Sequence, residues 1–269
     1  MAELHIDLSN IKQHPWPACF SAAVSKILDN ANIPNFIWGD LLNRWRGNAH
    51  LPQICGFVVP TELLDNAVSA IEKHRLPLCP CTSTSHHADP SSDVWLPKHF
   101  VIPLGFGIKQ YLFLCPSDAL LDLLPLTPSH PNPASLEYDL FRVSLRNRFT
   151  PFEIYKPGEQ LPLHSDNLDD THPLKVLTAS SLVKALILLM IFSPPERQGV
   201  DWEYCQMLSF LRVDMDREEQ QLHFGSQSIQ RLWDRYSLGD SRLKRMLENE
   251  VYAEWSVSMG RENSRTTSI

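Results

Sequence analysis

The sequence predicts a mixed α/β fold, with strands and helices interleaved in its first half and a helical C-terminal region. Three observations predict it. Short runs of β-formers (NFIW, ICGFVV, HFVIPL and IKQYLFLC) alternate with helix-period segments through the first half of the chain. The first of these runs stops at Gly39, where a strand hands over to a helix through a glycine turn. The last third is dominated by apolar residues at helical spacing, in LVKALILLMIF and in two later amphipathic stretches.

Taken in order, Ser9 to Asn30 reads as a helix with Ser9 as N-cap, interrupted early by Pro15 and Pro17 and carrying Ala22, Ala23, Val24, Ile27 and Leu28 on its apolar face. NFIW follows as a strand. DLLNRWRG then makes about two helical turns, closed by Gly47-Asn48. ICGFVV has β-formers without alternating polarity, as expected of a strand covered on both faces. Thr61 and Glu62 open a helix with Leu63, Leu64, Ala67, Val68 and Ile71 on one side.

The stretch from Cys79 to Pro97 is polar and rich in Ser, Pro and Asp, longer than the usual connection of about 4–6 residues, and reads as a cover over the opening near Gly39. HFVIPL and IKQYLFLC form a hairpin across Gly105-Phe106-Gly107, and SDALLDLLPL predicts a short helix capped by Ser117. The proline-rich PLTPSHPNPAS marks the internal boundary. The expected organisation is an α/β core over 1–125, a mixed and then mainly helical region over 126–260 packed on it, and a tail over 261–269. YDLFRVSL and KVLT are expected strands. Ser180 and Ser181 should cap the apolar helix that Pro194-Pro195 ends.

Composition narrows the partners. A formal net charge of −7 disfavours a general affinity for nucleic acid, and the basic trio Arg142, Arg146 and Arg148 reads as a solvated face. The apolar run Leu182–Phe192 is about half the ~20 residues that span a bilayer, and Lys184 interrupts it, so it is expected to be a core helix. The first residues lack a basic stretch followed by an apolar run, and the 6 cysteines read as reduced thiols of a cytosolic protein. Trp233, Tyr236, Tyr252 and Trp255 are read first as helix packing and second as a partner-binding face.

The segments WGDLLNRWRG, GFVVPTELLDNAV, HFVIP…QYLFLCPSDALLDLLPL and KVLTASSLVKALILL, in that order over roughly residues 20–195, resemble a family of uncharacterised fungal proteins of the minimal nucleotidyltransferase-fold type. Such proteins are often encoded near specialised-metabolite genes. The resemblance implies a small mixed sheet flanked by helices. It also implies a site built from the glycine turn and the second strand, where active members hold two metal ions with Asp-x-Asp. In this chain the turn is Gly39-Asp40, and an Asp there would repel nucleotide phosphates. The carboxylate positions on the second strand hold Gln53 and Cys55, and no Asp or Glu lies between Lys98 and Cys115. An amide and a thiol are poor ligands for hard magnesium. The resemblance therefore implies the architecture without the metal-dependent reaction: a binding or accessory module for a small molecule or protein, with no cofactor. The candidate cleft residues are Gly39, Asp40, Arg44, Gln53 and Cys55. The alternative is non-metal chemistry on a small metabolite in the same cleft, with Cys55, Gln53, Arg44 and His50 facing the turn; strand alternation puts Gln53 and Cys55 on one face.

Two further clusters carry metal-type ligands. Cys79, Cys81, His86 and His99 have zinc-ligand chemistry, although Cys-x-Cys bites more tightly than the common Cys-x2-Cys, and a polar loop with half-buried thiols at its root is the simpler reading. Cys81 beside His86 or His87 is also the best candidate for an activated thiol. His164, Asp166, Asp169, Asp170 and His172 are expected to form a solvated acidic loop. Cys19, Cys115 and Cys205 sit in apolar runs and read as core. There is no nucleophile elbow, dinucleotide fingerprint or phosphate-binding loop with its lysine.

Overall fold

The computed structural model describes residues 6–14, 16–39, 41–42, 54–80, 98–103, 109–126, 134–141, 172–193, 208, 221–235 and 241–259. Helix α1 (Ala18–Asn30) is followed by strand β1 (Phe36–Trp38), strand β2 (Ile54–Val59), helix α2 (Leu64–Lys73) and the hairpin β3 (Lys98–Pro103) and β4 (Lys109–Pro116). Strands β5 (Tyr138–Phe141) and β6 (Leu174–Leu177) precede helices α3 (Ala179–Phe192), α4 (Gln227–Arg235) and α5 (Ser241–Trp255). The expected mixed α/β architecture is therefore present, with the strands where the β-formers lie.

The main sheet has the order β1-β2-β4-β3. Its outer pairs are antiparallel, while the central pair β2 and β4 runs parallel, with Cys55 opposite Leu112 and Phe57 opposite Leu114. A parallel pair needs a crossover, and α2 is the helix within it. The parallel alignment brings the two exits together. β2 and β4 both end at a proline followed by a 3-10 turn, where Thr61 Oγ1 accepts from the Asp118 amide at 3.1 Å. β5 and β6 form a separate antiparallel ribbon.

Two sheet faces follow from these registers. Cys55, Phe57, Leu112, Leu114, Phe100 and Ile102 share one face and are all fully buried. Ser21 of α1 touches Cys55, which places α1 on this face. The opposite face carries Ile54, Gly56 and Val58 of β2, Tyr111 and Phe113 of β4, and His99 of β3. One continuous core runs on from the sheet through Leu124, Leu126, Ala134 and Leu136 into α3, α4 and α5.

Three local expectations are corrected. The first helix begins after Pro17, not at Ser9; Ser9 instead closes a turn, with its amide and hydroxyl both donating to Asp7. Prolines at 15 and 17 remove amides that an earlier helix would need. The helix expected after Ser117 stops after one 3-10 turn, because Leu121 and Asp122 take left-handed conformations and Ser117 Oγ donates to Asp122 at 2.7 Å. The cap of α3 is Thr178, whose hydroxyl accepts from the Ser181 amide at 3.3 Å, while the Ser181 hydroxyl accepts from the Glu137 amide at 2.7 Å.

Of the C-terminal aromatics, Trp233, Tyr252 and Trp255 pack against the core, and Tyr236 lies outside the described residues. Trp233 is buried against Phe224, Tyr252 stacks on Phe192, and Lys184 of α3 lies over the Trp255 ring at 4.6 Å. That contact explains how an otherwise apolar helix tolerates a lysine. Burial pulls the Lys184 ammonium below its ordinary value, against the opposing charges of Glu254 and Glu137. No helix among the described residues is long and apolar enough to cross a membrane.

A polar node ties α1 to the second ribbon. Asp29, in the last turn of α1, accepts from Lys175 at 3.1 Å and from Asn35 at 2.8 Å, and its other oxygen meets His172 Nε2 at 2.7 Å. Asn35 is buried, and its carbonyl oxygen accepts from Ser25 at 3.0 Å. Burial pushes the Asp29 carboxyl up, but the hydrogen bonds from His172 and Lys175 and their charges together hold it below its ordinary 3.8. A carboxylate with a depressed folded value stabilises the fold above its unfolded value and loses that contribution as pH falls through the folded one. Asp29→Asn should cost on the order of 1–2 kcal/mol at neutral pH. The deficit should shrink below pH 3.8, as urea melts of both proteins across pH will show; a deficit constant with pH would mean that the charge plays no part.

Candidate functional site

The candidate cleft was expected where β1 meets the glycine turn. Gly39 sits at the end of β1 with φ +80°, a left-handed backbone that favours glycine, and among the described residues nothing lies within 4 Å of where its Cβ would be. The turn itself therefore requires this glycine for its backbone conformation rather than for lack of space among the described residues. Leu41 and Leu42 follow in helical conformation and are fully buried. Asp40, Arg44, His50 and Gln53 lie outside the described residues.

Cys55 lies in the core and not at an exposed opening. Its side chain points to the helix-covered face and is fully buried, with Sγ 3.0 Å from Ser21 Oγ. The Ser21 hydroxyl already donates to the Pro17 carbonyl at 2.7 Å, which leaves the Cys55 thiol as donor in the contact between them. Burial pushes the thiol up to about 12, so it stays protonated at neutral pH. Cys115 is buried and pushed up to about 12 by the same cause. Neither thiol has the character of a nucleophile.

The other face of β2 offers no carboxylate either. Gly56 stands there, and a Cβ added to it would lie 2.5 Å from the Trp38 carbonyl oxygen. The obstacle is backbone of the neighbouring strand, which cannot swing aside as a side chain can. β1 thus approaches β2 closely at Gly56, opposite Trp38 in the register. No side chain of any length fits at that point, acidic or otherwise. At its middle β2 is therefore filled on both sides by the fold itself, Cys55 and Phe57 by the helix-facing core and Gly56 by its neighbour's carbonyl, while Ile54 at its start is half-buried.

The zinc-type residues are partly brought together. Leu78 bridges Phe100 on the open edge of β3, and the Cys79 amide donates to the His99 carbonyl at 2.9 Å. His99 is 7% exposed, with its ring edge-on to Phe113 at 5.5 Å and to Tyr111 at 6.3 Å. Cys81, His86 and His87 lie outside the described residues, as do His164, Asp166, Asp169 and Asp170. Among the described residues, no three His, Cys, Asp or Glu converge as a metal site. His172 is engaged by Asp29 in the polar node, an assignment that its position in the acidic stretch LHSDNLDDTH did not suggest.

No protein-family model matches the chain. No curated protein matches it in sequence. Among solved structures it is similar to the antibiotic-resistance factor ANT(2'')-Ia, a solution structure titled for substrate-regulated conformation dynamics. The identity is 11% and the TM-score 0.33, over 87% of this chain and 90% of that one. At that score the likeness carries no argument.

Proposed function

We propose that this chain is a catalytically degenerate protein of the nucleotidyltransferase-fold type, acting as a cytosolic binding or accessory module for a small molecule or a protein, in specialised metabolism. The order helix, strand, glycine turn, strand, helix and hairpin supports the fold assignment. The observation that carries the functional reading is the double closure of β2. Cys55 and Phe57 are buried against the helix side, and the Trp38 carbonyl closes the position of Gly56 on the other. Two-metal transfer needs carboxylates a few ångströms apart to bridge the attacking and leaving oxygens. β2, β3 and β4 contain no Asp or Glu at all.

The competing reading is an enzyme of different chemistry in the same cleft. It loses its thiol to the core, and Phe57 beside it is buried as well. Incubation of the purified protein with labelled nucleoside triphosphates and magnesium or manganese, over a panel of hydroxylated acceptors, should give no transfer above a protein-free control. Metal-dependent transfer that disappears in Asp40→Asn would overturn the proposal.

A further inference from the structure

We draw no further inference here: the strongest candidate, the apolar patch at Gly56 between Trp38 and Phe113 on the sheet face turned away from α1, carries nothing because no contact among the described residues shows what covers it.

Discussion

Cys55→Asp, the substitution that would restore an acid to the second strand, should unfold the protein rather than confer activity. The side chain would enter a fully buried site whose one polar partner among the described residues is the Ser21 hydroxyl, itself committed to the Pro17 carbonyl. An ionised carboxylate there has no cation and no donor to hold it, and a neutral one leaves its polar atoms half satisfied. The expected cost is at least about 3 kcal/mol, in the range seen when a buried charge is left uncompensated. Cys55→Ala should cost only about 1–2 kcal/mol, because it removes one atom from a packed site and no obligatory bond. Chemical denaturation of the two variants separates them. A Cys55→Asp protein as stable as Cys55→Ala would mean that water reaches this face of β2, and the candidate cleft would have to be redrawn to include it.

Trp233→Ala should be the most damaging of the aromatic truncations in the C-terminal helices. Trp233 is 2% exposed and lies edge-on to Phe224 at 6.1 Å, inside the core that also holds α3 and the sheet. Emptying that volume is expected to cost about 3–5 kcal/mol. At about 2–4 °C per kcal/mol for a chain of this size, the melting temperature should fall by roughly 6–20 °C. Val257→Ala, at an 88% exposed position, is the control and should change stability by no more than about 0.5 kcal/mol. A single thermal transition that shifts as a whole in Trp233→Ala would show that α4 and α5 melt with the sheet. Two separated transitions, with only the minor one shifted, would make the C-terminal helices a unit of their own.

The strands were legible because burial on both faces writes itself as unbroken runs of Val, Ile, Leu and Phe, and ICGFVV and YLFLC are such runs. The same property hid the functional detail. A strand that is apolar on both sides has no alternation from which to read its phase, so nothing in ICGFVV says whether Cys55 faces helix or opening. Only the pairing with β4 and the contact with Ser21 decide it. Gly56 was invisible for another reason, since its necessity comes from a carbonyl on β1 that sequence distance separates from it. The partner of His172 is hidden in the sequence because the acidic residues around it are near in sequence, whereas Asp29 is near only in space. The serine caps failed by small steps. Thr178, Ser180 and Ser181 are all competent, and the position of Glu137 selects among them.

The polar node at Asp29 also constrains the order in which the chain can be completed. Its partners His172 and Lys175 are 143 and 146 positions further on. On the ribosome, α1 and the short strand beside it emerge long before either partner exists, and Asn35 is left with a carboxylate that nothing yet neutralises. Contacts of such separation are entered late, after the loop-closure entropy has been met. The four-stranded sheet is complete once β4 has emerged, but β6 and the C-terminal helices that share its core are still to come, so the nascent N-terminal half keeps apolar residues uncovered, a surface on which chaperones act. Any truncation upstream of residue 172 would prolong that state indefinitely, leaving fragments that expose the apolar interior without the electrostatic clasp that secures it.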